Sequence, residues 1–329
     1  MDMPPVPEQR ILVTGGAGFI GSHVCDALLA AGYRVRSMDS YITGKRANIA
    51  HLLAHERFEA VEGDIRSQAD AVAALRDATA VVHLAALGSV PRSIADPVTT
   101  HEVNLGGFLN MLLAARAAGV QRLVFASSSS VYGDAPELPK REDRIGTPLS
   151  PYAVSKYGNE VYAGLYHRLH GMRTIGLRFF NVFGERQDPE GPYAAAIPRF
   201  IRALLAHEPP IIYGDGHQSR DFTYVGNAVQ AVLAALRTDD ERAFGEVFNV
   251  AYGERTTLLT LLAALKEELM KVDPVVAAVA AEHAEPRVGD VRDSLADIGK
   301  ARTVLGFAPK VDLREGLARA VPWYVAHWG

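Results

Sequence analysis

Short β-branched runs alternating with amphipathic stretches, a glycine triplet at the first strand-to-helix junction and a carboxylate closing the second strand together predict an α/β chain. The expected architecture is a doubly wound, parallel-sheet Rossmann domain with a smaller C-terminal α/β substrate lobe. Strands are read at Arg10–Thr14, Arg34–Met38, Phe58–Val61, Ala80–Leu84, Arg122–Ala126 and Arg173–Leu177. Each is apolar on both faces and is followed by a helical stretch. Such strands pair in parallel, with right-handed crossovers that put helices on both sides of the sheet. The longest helical run, Pro151 to His170, precedes the sixth strand.

After Phe180 the pattern loosens. Gly184 to Pro192 is rich in glycine, proline and charge, and Pro209-Pro210 and Gly214-Asp215-Gly216 punctuate the chain beyond it, marking a second lobe. Strand character returns at Val247–Val250, which predicts one more strand for the first sheet. The lobes therefore interleave: residues 1–180 with a return segment about 222–252 form the nucleotide-binding domain, and residues 181–329 mainly the substrate lobe.

Composition excludes several classes. The 329 residues are 48% hydrophobic and 22% charged, enough for a sizeable core. With 34 basic against 38 acidic residues and no charge block, no nucleic-acid partner is expected. No apolar run reaches the ~18 residues of a membrane span, so no membrane partner is expected and the cytoplasm is the expected location. The single cysteine, Cys25, forms no internal disulfide and reads as a small buried hydrophobe; no Cys/His spacing suggests a metal.

Chemistry begins at Gly15, Gly18 and Gly21, with Phe19 and Ile20 opening the first helix. Glycines let the backbone turn tightly and approach a pyrophosphate, and the helix N-terminus offers unpaired N–H donors. The spacing is G-x-x-G-x-x-G. Asp39 closes the second strand 18 residues beyond Gly21, where a carboxylate accepts from both adenosine ribose hydroxyls and repels a 2′-phosphate, favouring NAD over NADP. Arg36 nearby reads as a solvated strand-edge charge.

Tyr152 and Lys156 are four apart at the start of the long helix, hence on one face. The fifth strand leads into Ser127-Ser128-Ser129-Ser130, placing hydroxyls at the carboxyl end of the sheet, where open α/β folds bind ligands. Removing hydride from a carbinol carbon requires loss of the hydroxyl proton, and a phenol of pKa ~10 is a poor base at neutral pH. A neighbouring Lys⁺ favours the phenolate, and Ser128 would hold the substrate oxygen in line with Tyr152.

The Gly15–Gly21 loop, Gly63-Asp64-Ile65, His83-Leu84-Ala85-Ala86, the serine cluster, Tyr152/Lys156, Arg178 to Gly184, and Gly214-Asp215-Gly216 followed by Arg220-Asp221-Phe222 resemble the UDP-hexose 4-epimerases of the extended short-chain dehydrogenase/reductase family, from Ile11 to about Trp323. The resemblance implies tightly bound NAD, with Asp64 and Ile65 flanking the adenine, Ala85 and Ala86 on the ribose side, and Asn104 and Phe180 bordering the nicotinamide. It also places Gly44 and Leu84 at the cofactor. At the UDP-sugar it implies Asn181, Arg220 and Arg287 on the diphosphate and Asp290 on the uridine ribose. Gly88, Ser89, Ser129, Ser130, Gln187 and Ala195 complete the implied substrate site.

Leu87 to Ser93, Gln187-Asp188-Pro189 through Tyr193-Ala194-Ala195, and Val291 to Asp297 look closest to the UDP-N-acetylglucosamine 4-epimerases of surface-polysaccharide pathways. In the resembling enzymes a Tyr at the place of Ser294 admits only unsubstituted hexoses, and a small residue admits the acetamido group. Serine implies room. The same pocket could take the corresponding uronic acid, given a hydroxyl or cation for its carboxylate. The runner-up is a nucleotide-sugar 4,6-dehydratase or decarboxylase; the resembling dehydratases carry Asp-Glu at the places of Ser129 and Ser130, and hydroxyls cannot replace those carboxylates. A non-catalytic NAD sensor on the same fold is the reading from another class, and retention of Ser128, Tyr152 and Lys156 argues against it. The resemblance further implies a homodimer through helices at roughly 97–118 and 151–170, packed as a four-helix bundle.

Overall fold

The computed structural model describes residues 8–189, 195–285 and 292–328. Strands β1 (Arg10–Thr14), β2 (Arg34–Asp39), β3 (Phe58–Glu62), β4 (Ala80–His83), β5 (Arg122–Ser128) and β6 (Arg173–Phe179) alternate with helices α1 (Phe19–Ala30), α2 (Gln68–Ala74), α3 (Val90–Ala95), α4 (Pro97–His101), α5 (Gly107–Ala117) and α6 (Pro151–His170). Beyond them lie three two-stranded pairs: β7 (Val182–Phe183) with β10 (Thr223–Tyr224), β8 (Ile211–Tyr213) with β13 (Glu282–Ala284), and β9 (Ser219–Arg220) with β12 (Thr256–Thr257). Helices α7 (Ala196–Leu205), α8 (Val225–Arg237), α9 (Leu258–Leu269), α10 (Gly299–Leu305) and α11 (Leu313–Trp328) complete the chain, and β11 (Glu246–Val250) returns to the main sheet.

That sheet has seven parallel strands in the order β11-β6-β5-β4-β1-β2-β3. Order reverses between β1 and β4, so a crevice opens at their carboxyl ends. Side chains alternate across the strands, and two cores result. Ile11, Val13, Val35, Val82 and Val124 pack with α1 and α8 on one face; Leu12, Met38, Val81, Leu123 and Phe125 pack with α2, α5 and α6 on the other. Each fully buried Val, Leu or Phe contributes ~1.5–3 kcal/mol, which holds the strand ends that carry the site.

The ends of α6 follow from local chemistry. The Ser150 hydroxyl accepts from Ala153 N at 3.1 Å, Pro151 occupies the first turn, and Gly171 takes a left-handed φ of 67° at the C-cap. The stretch expected as one helix over 97–118 differs: a π-helical turn, Glu102–Gly106, separates α4 from α5. Asn104 in that turn donates to Leu87 O at 3.0 Å and accepts from Leu87 N at 2.8 Å, so the wider turn ties the helix to the segment that follows β4. Cys25 is fully buried. No described helix is long and apolar enough to cross a membrane, and no described His, Cys, Asp and Glu residues cluster as metal ligands.

Candidate active site

The crevice begins where β1 meets α1. A Cβ at Gly15, whose φ is +70°, would sit 2.7 Å from Ala85 N, and one at Gly21 would lie 2.0 Å from Gly15 O. Only glycine permits this crossing of loop and strand end. No side chain caps the N-terminus of α1, which leaves its amide donors and partial positive charge for an anion. Asp39 closes β2, buried, accepting from Ala17 N at 3.0 Å and Tyr41 N at 2.8 Å. Burial raises its pKa, and those two amides oppose the rise. A Cβ at Gly44 would lie 2.6 Å from the Asp39 carboxylate, so this glycine keeps its approach open.

Arg36 departs from its expected solvated state. It is buried, bonded to Glu59 at 2.9 Å and to the carbonyls of Ala74 and Arg76, because alternation along β2 turns it away from the crevice.

A cavity of about 480 Å³ runs along these strand ends. Gly18, Phe19 and Ile20 line it with Asp64, Ile65, Leu84, Ala85, Ala86 and Gly88, as do Ser128, Tyr152 and Lys156. Its glycine cradle, open helix terminus and the Asp39 carboxylate at the strand end fit a dinucleotide bearing a free 2′-hydroxyl. Two expected residues are not in its wall. Asn104 lies behind it, bonded to Leu87 and to Ser155 Oγ at 3.2 Å. Phe180 is fully buried against Tyr132; Phe179, one residue earlier on the alternating strand, faces the cavity instead.

The catalytic candidates meet at one end. Ser128 ends β5 and accepts from Ser130 N at 3.2 Å. Tyr152 and Lys156 share a face of α6, with the Lys156 ammonium 5.8 Å from the phenol ring centre and 2.9 Å from Ala126 O. Burial pushes the Lys156 ammonium down to about 8, partly opposed by Glu160 one turn further on. Burial raises the Tyr152 phenol while the Ser128 hydroxyl draws it back. Beneath them Glu160 binds Arg178 through two bonds of 2.9 and 2.8 Å and accepts from Ser127, which fixes α6 against the ends of β5 and β6.

Two smaller cavities continue toward the second lobe. One of about 270 Å³ is lined by Ser89, Gln187, Ala195, Arg199, Phe200 and Tyr213, among others. The next, of about 200 Å³, is lined by Ser129, Ser130, Tyr132, Lys140 and Ser294. Asn181 and Arg220 border both. Six described non-glycine residues adopt positive φ; Ser89 and Asn181 border the smaller cavities and Arg186 the larger one, while Tyr41, Asp77 and His207 line none of the three. Arg287 and Asp290 lie outside the described residues.

Sequence reasoning singled out Gln187 and Asp188 but missed how their loop is tied across the larger cavity. Lys45 pairs with Asp188 at 2.9 Å, Arg186 with Asp26 at 2.8 Å, and a His23 ring nitrogen lies 2.9 Å from Glu185 O. The charge richness of Gly184 to Pro192 was the signal for these ion pairs.

The profile of the NAD dependent epimerase/dehydratase family matches residues 11–251. The chain is 40% identical over 315 residues to a putative UDP-glucose 4-epimerase of Methanocaldococcus jannaschii, covering 95% of this chain and 97% of that one. It superposes with TM-score 0.90 and 37% identity on the UDP-N-acetylglucosamine 4-epimerase of Methanobrevibacter ruminantium in complex with UDP-N-acetylmuramic acid, covering 97% and 99% of the two chains. On the UDP-glucuronic acid 4-epimerase of Bacillus cereus, in complex with its sugar nucleotide and NAD, the TM-score is 0.87 at 33% identity, with 97% and 100% covered. With this match extending over most of the sequence and the dinucleotide cradle in place, the chain belongs to the NAD dependent epimerase/dehydratase family.

Proposed function

We propose that this NAD-dependent UDP-sugar 4-epimerase interconverts UDP-N-acetylglucosamine and UDP-N-acetylgalactosamine, and that it does so as a homodimer. One observation carries the sugar assignment: Ser294, 9% exposed, lines the 200 Å³ cavity together with Ser129 and Ser130, the residues that follow Ser128. A small side chain there leaves space for an acetamido group.

When bound, NAD supplies the acceptor and donor of the C4 hydride. The chain's own residues manage the proton and the orientation. Ser128 holds O4, and Tyr152 takes the O4 proton and later returns it. Burial opposes ionisation of the phenol, so the Lys156 charge on the same helix face and the Ser128 hydroxyl are what favour phenolate. Asn181 and Arg220 border both outer cavities, where they would hold the diphosphate while the 4-keto sugar turns to present its other face. Ser129 and Ser130 offer hydroxyls, not the carboxylates that proton movement at C5 requires, which favours epimerisation over dehydration.

The dimer proposal rests on α6. Tyr152, Lys156 and Glu160 face the site, whereas Val154, Tyr157 and Val161 form an outward stripe with exposures of 54%, 38% and 51%. Val98 of α4 and Leu113 of α5 are also exposed. A second copy would cover this apolar face.

Replacing Ser294 by Tyr tests the sugar assignment. Overpacking costs ~1–3 kcal/mol, so selectivity for UDP-N-acetylglucosamine over UDP-glucose is expected to fall by roughly one to two orders of magnitude. Steady-state kinetics on both sugars decide it. Unchanged turnover of the N-acetylated sugar in Ser294→Tyr would remove the support for this substrate.

A further inference from the structure

Asp221 is fully buried between β9 and β10, next to Arg220, and lines none of the three cavities. Its carboxylate accepts from main-chain amides on two sides: Tyr252 N and Gly253 N at 3.2 Å, and Ala296 N at 3.1 Å. Tyr252 and Gly253 follow β11, which belongs to the main sheet, whereas Ala296 lies in the segment that carries Ser294. One side chain thus joins the end of the nucleotide-binding sheet to the substrate lobe. The main chain carries the tie on to the cavity walls. Asn181 Nδ2 donates to the Asp221 carbonyl at 3.4 Å, Ser219 N donates to Arg292 O at 3.1 Å, and Ser294 N donates to Ser219 O at 3.1 Å. Asn181, Arg220 and Ser294 are therefore all anchored at this junction.

Charged groups surround the junction, and each is engaged elsewhere. Arg220 donates to the carbonyls of Ser219 and Arg292, Asp293 accepts from the Ser219 hydroxyl, and Asp297 accepts from Gly299 N. The Lys140 ammonium donates to Ala135 O, and Glu254 offers Asp221 its backbone amide. Amides alone thus hold a buried carboxylate ionised among the described residues; burial is the larger influence and pushes it up to about 7. Protonating one oxygen weakens it as an acceptor, so one side of the junction is released.

We propose that Asp221 is a positioning residue for the sugar nucleotide: its ionised carboxylate docks the 294–296 segment onto the end of the main sheet and so sets Asn181, Arg220 and Ser294 around the substrate. In its neutral form this wall loosens and the sugar nucleotide binds more weakly. The dinucleotide cradle, built on β1, α1 and β2, keeps its hold. This inference rests on the placement of the diphosphate at Asn181 and Arg220 proposed above, and adds a residue that never touches the substrate.

The test measures KM and kcat for UDP-N-acetylglucosamine and UDP-glucose at pH about 6 and about 8, using wild type and Asp221→Asn purified with their own NAD. Phosphates esterified on both sides do not titrate in this range, and no histidine lines the described walls of the three cavities. The wild-type KM is expected to rise about fivefold from pH 8 to pH 6, as a carboxylate titrating near 7 gives up its charge. Asp221→Asn is neutral throughout. Its KM should be about tenfold above wild type at pH 8, as fits loss of a charge-assisted hydrogen bond, level with pH, and only about twofold above wild type at pH 6. Its kcat should fall less than its KM rises, with NAD retained. A wild-type KM that stays level with pH, or a variant KM equal to wild type at pH 8, would overturn the proposal. So would a variant that loses NAD and kcat in step, which would assign Asp221 to folding alone. If Asp221→Asn does not fold, the wild-type pH dependence decides by itself. Inversion of UDP-glucose alone would remove the acetamido assignment, and the same KM comparison on that sugar would still decide the role of Asp221. Inversion of neither sugar would overturn the epimerase reading and this inference with it.

Discussion

At the scale of single residues, the site depends on which groups burial leaves charged. Lys156 is 3% exposed, and desolvation brings its pKa down to about 8, whereas the same group in an unfolded chain titrates near ~10.4. Between those values the unfolded chain binds more protons than the folded one. Stability, as far as Lys156 governs it, therefore rises with pH across that window. Denaturant midpoints of cofactor-free protein at pH about 7.5 and about 9.5 should show the wild type gaining relative to Lys156→Met; equal pH responses would contradict the burial-lowered pKa. Sequence reading placed Ser128, Tyr152 and Lys156 within reach of one another because helix spacing and strand-end position are local properties. Phe180 and Arg36 show where it ran out. Which way a strand side chain points depends on register against neighbours far away in sequence, and both residues face away from the crevice.

At the scale of elements, boundaries marked by strong local chemistry were legible. The run Pro151 to His170 is α6 as read, and the caps found at its ends, Ser150 and Gly171 with Pro151 in the first turn, act within a few residues. The break between α4 and α5 was not legible, since the π-turn accompanies hydrogen bonds between Asn104 and Leu87, in the segment that follows β4. The ion pairs of the loop carrying Glu185, Arg186 and Asp188 were likewise opaque, since they reach back to Asp26 and Lys45. These contacts draw the loop across the dinucleotide cavity. Exposed ion pairs contribute ~0–1 kcal/mol and weaken with salt. Lys45→Ala is expected to speed NAD release by up to about fivefold, with the difference from wild type shrinking at high salt. Fluorescence-monitored release that is identical in the two proteins at low salt would show that the Lys45–Asp188 pair does not retain the cofactor.

At the scale of the whole molecule, the fold was the most legible part, because alternating apolar strands and helices already require two cores on either side of a parallel sheet. The return of β11 beside β6 joins residues far apart in sequence into that sheet and carries Asn249, which accepts from the Tyr132 hydroxyl at 2.6 Å. Assembly belongs to the same scale. Introducing Val154→Glu with Val161→Glu on the outward stripe of α6 should convert a dimer into a monomer with NAD still bound, as light scattering would report; a dimer that persists would place the interface elsewhere. The central claim, inversion at C4 with hydrogen conserved, is tested most directly by proton NMR of UDP-N-acetylglucosamine turnover in D₂O with no NAD added. The predicted result is UDP-N-acetylgalactosamine that keeps its original hydrogen at C4 and carries no deuterium at C5, with formation at least ~100-fold slower in Tyr152→Phe. Deuterium at C4, a dehydrated 6-deoxy product, or equal rates in the two proteins would contradict it.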